Sequence, residues 1–371
     1  MTPASEPAES FDTRPSEPGP DQEPQAEHTY QTGQENEHTQ QHTYQRTNPH
    51  AYEKKSGNKS DDENDDRHHG KNEHENENDH DHHTYEEIFA DPAPRLIATD
   101  LDGTLLRDDK TVSQRTIAAL AAAEDAGIEV FFVTGRPVRW MGVVAEHLAG
   151  HGMAIVANGA AVYDLRAGTL IEAFPLPEDD ALAVAHALRE AVPGTTFAVE
   201  RTFGYRREPA YPPGEADSPH PRAAVETLLA SDREQPLLKL LAKHQSMDPD
   251  DFLATALAAA GRYGEITRSS DSALLEISGV GVSKATTLAK CCAERGVTAA
   301  EVVAFGDMPN DLAMLEWAGR SYAVANAHPQ VRAATTRHTG SNDEDGVARV
   351  IERIVSARHA QTPSHATGGT H

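Results

Sequence analysis

Asp100 and Asp102 flank a single leucine in the run Asp100-Leu101-Asp102-Gly103-Thr104, and the glycine behind them permits a sharp turn. Both carboxylates can then enter one small volume. Acids that close disfavour each other's ionised form unless a cation lies with them, and an all-oxygen donor set favours Mg²⁺ over zinc. Asp307 and Asp311, in Gly306-Asp307-Met308-Pro309-Asn310-Asp311, form a second acidic pair able to complete such a cage. Thr134-Gly135-Arg136 brings a hydroxyl, an open backbone N–H and a guanidinium, the groups a phosphate dianion needs, and Lys284 adds a compact second cation. With cation and lysine in place, an ionised Asp100 can approach phosphorus despite the like charges.

These residues stand where apolar runs stop. One run ends at Thr99, just before Asp100; others are Ile128–Thr134, Ala154–Asn158, Val302–Asp307 and Ser321–Asn326. Each reads as a buried strand with polar residues at its end. Between the first two lies a predicted helix over Ser113–Ala126, with Ser113 as N-cap, Ile117, Leu120 and Ala121 on one face, and Gly127 as its stop. Strand, helix and strand in this order imply a parallel sheet covered on both faces, in which ligands bind at the carboxyl ends of the strands. Asp100, Thr134, Asn158 and Asp307 are all placed there.

Residues 176–268 break the pattern. Helices are predicted near 179–191 and 249–260, and strands at Thr196–Glu200, Leu237–Ala242 and Gly264–Arg268, which suits a smaller α/β unit inserted between core segments 93–175 and 269–357. The proline-rich stretch 208–221 reads as an exposed loop within it.

Residues 1–92 are of another kind, rich in His, Asn, Gln and acids. Over residues 1–90 there are 22 acidic and 7 basic side chains, so this quarter holds more than half of the net charge of −26 and is expected to be disordered. Its histidines, among them His68, His69, His74, His80, His82 and His83, read as part of that solvated tail and not as a metal site. A second flexible tail is expected over 358–371. The acidic balance argues against nucleic acid or an anionic membrane as partner. The two cysteines, Cys291 and Cys292, are adjacent and read as buried packing residues, and neither a leader pattern nor a membrane-length apolar run is visible; a cytoplasmic protein is expected.

The order DLDGT (100–104), TGR (134–136), GVSK (281–284) and GDMPND (306–311) resembles the four motifs of the haloacid-dehalogenase-like superfamily, and more narrowly its Cof-type phosphatases. The likeness runs from about Arg95 to Ile354 and includes Asn158-Gly159-Ala160 and residues 342–347. It implies a Rossmann-like, mainly parallel core with an α/β cap inserted between the second and third motifs. It also implies an Mg²⁺-dependent phosphatase of small phosphorylated metabolites. In that reading Asp100 is nucleophile and metal ligand, and Asp102 is general acid/base and reaches the metal through its backbone carbonyl. Thr134 and Gly135 bind phosphate, Lys284 steadies phosphate and nucleophile, Asp307 holds Mg²⁺, and Asn310 and Asp311 stand in or just behind the site. Arg136 is assigned to substrate, with a pair to a neighbouring acid as its alternative, and Asn158 to the cleft. Trp140 and Met141 are expected in core or cleft wall. Phosphotransfer to a sugar hydroxyl and a non-catalytic regulatory role are the two other functions weighed.

Overall fold

The structure is a computed structural model that describes residues 92–147, 152–212, 222–270 and 272–361. The expected N-terminal tail, its histidines, and residues 362–371 lie outside the described residues.

The chain first lays down β1 (Leu96–Thr99), α1 (Gln114–Asp125), β2 (Glu129–Val133), α2 (Met141–His147), β3 (Met153–Val156), β4 (Ala161–Asp164) and β5 (Thr169–Ala173). It then builds α3 (Glu178–Ala191), β6 (Thr196–Arg201), β7 (Tyr205–Arg207), α4 (Val225–Ala230), β8 (Leu237–Lys243), α5 (Pro249–Ala260), β9 (Glu265–Thr267) and β10 (Leu274–Ser278). It returns through α6 (Lys284–Glu294), β11 (Val302–Gly306), α7 (Leu312–Trp317), β12 (Arg320–Val324), α8 (Pro329–Ala334), β13 (Arg337–Thr339) and α9 (Gly346–Gln361).

The larger sheet has the order β13-β12-β11-β1-β2-β3-β4-β5, parallel from β13 to β3 and antiparallel at its last two strands. That hairpin edge was not anticipated. Residues of β1, Leu-Ile-Ala-Thr, are buried throughout, as a central strand covered on both faces requires. Successive strands spread to both sides of β1, so the crevice at the carboxyl ends opens beside β1 and β11, where Thr99 pairs with Phe305. Asp100 and Asp307 follow those two residues closely. Ser113 caps α1 as expected by accepting from the Thr116 N–H, although the buried face is Thr116, Ala119, Leu120 and Ala123.

The smaller sheet is wholly antiparallel, β7-β6-β8-β10-β9. One face carries Phe197, Val199, Leu240, Ala242, Leu275 and Ile277, packed with α3, α4 and α5 in a second hydrophobic core. Two expected boundaries move. Leu274–Ser278 hydrogen-bonds into this sheet, so the inserted unit continues to Ser278 and not only to 268. α9 runs to Gln361, past the expected start of the tail at 358, and in this last turn Arg358 Nη1 reaches back to the Pro94 carbonyl at 2.8 Å.

α6 begins with a reciprocal cap in which Ser283 accepts from the Thr286 N–H and the Thr286 side chain accepts from the Ser283 N–H. This fixes Lys284 at the first helical position. Gly159, with φ +104°, lies directly beneath: a Cβ there would stand 2.3 Å from the Ser283 carbonyl oxygen. Gly159→Ala should therefore lower stability by about 3 kcal/mol, read from the urea midpoint. A change under about 0.5 kcal/mol would show that this contact does not constrain the helix start.

Candidate active site

At the carboxyl ends of β1 and β11, one oxygen each from Asp100, Asp307 and Asp311 lie within 4.8 Å of one another. Lys284 Nζ donates to Asp100 Oδ1 at 2.6 Å and to Asp311 Oδ1 at 2.7 Å. Asp311 is fully buried, and its second oxygen accepts from the Asp307 and Met308 N–H groups, both at 3.1 Å. Asp307 Oδ1 accepts from the Thr104 hydroxyl at 2.8 Å. At Gly103, φ +77°, a Cβ would stand 2.3 Å from Asp307 Oδ2, so only glycine lets the turn after β1 fold against that carboxylate.

The electrostatics are those of an acidic cluster short of positive charge. Burial raises the Asp100 carboxyl well above the usual carboxylate range; Lys284 opposes this, while Asp311 and Asp307 add to it. Burial, then the Asp311 charge, pushes Asp307 up to about 7. Burial works against the Lys284 ammonium, but Asp100 and Asp311 outweigh it and hold its pKa above the ordinary lysine value. Three buried, oxygen-only donors of this kind fit a hard divalent cation.

Asp102 stands outside this cluster. Arg136 grips its carboxylate with both nitrogens, Nε to Oδ2 at 2.6 Å and Nη2 to Oδ1 at 2.7 Å, and Lys110 Nζ lies 3.3 Å away. Burial would raise its pKa, but the Arg136 hydrogen bonds and charge, then Lys110, leave it lowered. The pairing alternative for Arg136 is thus realised in this conformation. Thr134 is buried, and its Oγ1 accepts from the Arg136 N–H at 3.0 Å. Asn158, in the left-handed region at φ 57°, accepts from Asn310 Nδ2 at 3.2 Å and donates to Glu276.

A cavity of about 370 Å³ lies between the two sheets. Of the residues singled out in the sequence, Asp100, Asp102, Thr134, Gly135, Arg136 and Asn310 line it. Lys284, Asp307, Asp311 and Asn158 support it from behind. Met141 is buried and Trp140 lines the cavity, so both fall where core or cleft wall was expected. Cys291 and Cys292 are buried free thiols.

Sequence reasoning missed the other wall. Tyr205, Tyr211, Glu200, Lys239 and Glu276 come from the inserted unit. Glu200 and Lys239 are cross-strand partners, and Glu276 is on the same face because it pairs with Leu241. Their signal was visible as a charge embedded in each of three apolar runs, Glu200 in FAVE, Lys239 in LLKLLA and Glu276 in LLEIS.

A family model for haloacid dehalogenase-like hydrolases matches residues 97–351. The 5-amino-6-(5-phospho-D-ribitylamino)uracil phosphatase YcsE of Bacillus subtilis (strain 168) is 31% identical over 261 residues, covering 70% of this chain and 96% of the relative. The pyridoxal phosphate phosphatase YbhA of Escherichia coli (strain K12) is 32% identical over 270 residues, covering 69% and 97%. A haloacid dehalogenase-like hydrolase from Bacteroides thetaiotaomicron superposes with a TM-score of 0.56 at 26% identity, covering 70% of this chain and 99% of that one. One from B. subtilis gives 0.60 at 24% identity, covering 70% and 99%, a likeness of fold. The chain belongs to the haloacid dehalogenase-like hydrolases. Within that family it is an enzyme of the phosphatase type. Among the described residues no helix is long and apolar enough to cross a membrane.

The raised acids set the pH response of the cation-free protein. Between about pH 4 and 7 the folded chain keeps a proton on Asp307 that the unfolded chain has released, so this contribution to stability is greatest at the acid end and is lost as pH rises through about 7; Asp100, raised in the same direction, acts with the same sign. Treated with EDTA, the protein should melt at a lower temperature at pH 8 than at about pH 5.5, and an excess of divalent cation should raise the melting temperature more at pH 8. Equal gains at both pH values would contradict a cluster that takes its cation in exchange for protons.

Proposed function

We propose that the chain is a Mg²⁺-dependent phosphatase that hydrolyses a small phosphate monoester through an aspartyl-phosphate on Asp100. The observation that carries this reading is the Lys284 ammonium lying between Asp100 and Asp311, with Asp307 beside them, directly behind a cavity lined by Asp100, Thr134 and Arg136. Uncatalysed monoester hydrolysis is among the slowest reactions known, and most of the barrier must be removed by positioning and fixed charge.

Asp100, Asp307 and Asp311, together with the backbone carbonyl of Asp102, would hold Mg²⁺, which neutralises charge on the phosphoryl oxygens and the nucleophile. An Asp100 carboxylate oxygen then attacks phosphorus, the bond from phosphorus to the ester oxygen breaks, and the leaving oxygen takes a proton from Asp102. Water, giving its proton to Asp102, next attacks the phosphorus of the acyl phosphate and releases inorganic phosphate and free Asp100. Thr134, Gly135 and Arg136 face the phosphoryl group, Lys284 steadies both it and the nucleophile, and Asn158 and Asn310 brace that wall.

The Asp102 ion pair fits this sequence. Held by Arg136 and Lys110 the carboxylate stays ionised, and an arriving phosphate dianion competes for the guanidinium, freeing Asp102 to take up a proton. The substrate is a small phosphorylated metabolite, in keeping with a 370 Å³ cavity and with the named activities of YcsE and YbhA. Two buried unpaired thiols suit the cytoplasm as its place of work.

Asp100→Asn should keep the wild-type secondary structure by circular dichroism and lose at least about 10³-fold in kcat on p-nitrophenyl phosphate. EDTA should abolish wild-type turnover and Mg²⁺ restore it. A folded Asp100→Asn protein that turns over normally refutes the nucleophile assignment.

A further inference from the structure

The strongest unexplained feature is a buried ion cluster on the inserted sheet that ends on the core backbone. Lys239 is 2% exposed, yet its ammonium donates to the carbonyl oxygen of Gly135 at 2.7 Å and to Glu276 Oε1 at 3.1 Å, with Glu200 Oε2 at 3.8 Å. Glu276 Oε2 in turn accepts from Asn158 Nδ2, and Asn158 Oδ1 accepts from Asn310. A Cβ at Gly135 would stand 3.0 Å from Asn158 Oδ1 and 3.3 Å from Glu276 Oε2, so the glycine is where the two units close on each other. Such an ammonium has three donors, and its geometry spends one of them across the domain boundary.

The Gly135 carbonyl and the Arg136 N–H belong to a single peptide unit, which is planar. Its N–H is held by Thr134 Oγ1 and its oxygen by Lys239. With a lone pair of Oγ1 engaged by that N–H, the Thr134 hydroxyl keeps its own proton for an acceptor in the cavity. Removing Lys239 frees the peptide to rotate and removes the constraint on the hydroxyl.

Resting on the phosphatase reading for the identity of the anion, we propose that Lys239 is a positioning residue: delivered by the inserted unit, it sets the Gly135–Arg136 peptide so that Thr134 and Gly135 bind a phosphoryl group only while that unit is closed. Lys239 acts on the anion through the loop, not on the part of the substrate beyond phosphorus.

The test uses the full chain with Mg²⁺ and inorganic phosphate as the probe, titrated by calorimetry. Lys239→Met keeps the length of the side chain and should weaken phosphate binding by roughly 10- to 100-fold. It should lower kcat/KM by a similar factor on both acetyl phosphate and p-nitrophenyl phosphate, and Lys239→Arg should recover most of the loss. In the ligand-free protein, hydrogen exchange at the Arg136 amide should quicken in Lys239→Met, a change that a direct contact between lysine and phosphate would not produce.

An unchanged phosphate affinity in folded Lys239→Met, an unchanged Arg136 amide, or a loss confined to the larger ester overturns the proposal, as does a wild-type protein that binds no phosphate. If Lys239→Met does not fold, Glu276→Gln serves instead. It removes the charge that holds the ammonium over Gly135 and should weaken phosphate binding less than tenfold but measurably, and no change overturns the idea. A wild type that binds phosphate but turns over neither ester defeats the phosphatase reading alone, because phosphate affinity still decides the role of Lys239.

Discussion

Three carboxylates share a volume nearly closed to water, and a single ammonium holds them in place. Lys284 opens α6, the end of a helix where a positive charge is unfavourable, so the lysine depends on Asp100 and Asp311 as much as they depend on it. A buried charge stripped of its partner costs several kcal/mol, which makes the arrangement all-or-none. Local features around it follow from this demand. Gly103 lets the turn after β1 approach Asp307, and Gly306 leaves room for Asp311, whose Cβ would lie 2.6 Å from an added Cβ. Gly159 lets the start of α6 come down onto the loop after β3.

The same side chain, aspartate, is driven in opposite directions within one short segment. Burial with too little positive charge lifts Asp100, while Arg136 and Lys110 depress Asp102 two residues away. Environments that separate the pKa values of neighbouring acids are how one site assigns distinct roles to identical groups. In the proposed mechanism the buried acid serves the cation and phosphorus, and the one at the mouth carries protons.

The parallel strands, the carboxylates at their ends and the inserted unit were legible because each is written in local sequence: an apolar run, a polar stop, a helix with caps. What was not legible is non-local. The run LLEIS looks the same whichever sheet it joins, and only its hydrogen bonds to Leu240–Lys243 and Glu265–Thr267 assign β10 to the inserted unit. α9 carries a bond from Arg358 to Pro94, 264 residues away, that no local pattern could announce. The pairing of Arg136 with Asp102, left open by the sequence, depends on two strand ends meeting.

The hidden charges of the inserted sheet raise a question of energetics. A face bearing Glu200, Lys239 and Glu276 is a poor way to glue two domains, since taking these groups out of water offsets most of what their attraction returns. An apolar face would hold more tightly, and an enzyme that must admit and release a ligand at every turnover has no use for that. On the role proposed for Lys239, closure on paired charges is instead nearly balanced, and a modest contribution from a bound phosphoryl group tips it. The arrangement is also specific: Lys239 meets the Gly135 carbonyl, and Glu276 the Asn158 amide. On the role proposed for Lys239, weak attraction between matched partners lets the inserted unit close in one register and open again, which a hydrophobic seam would not.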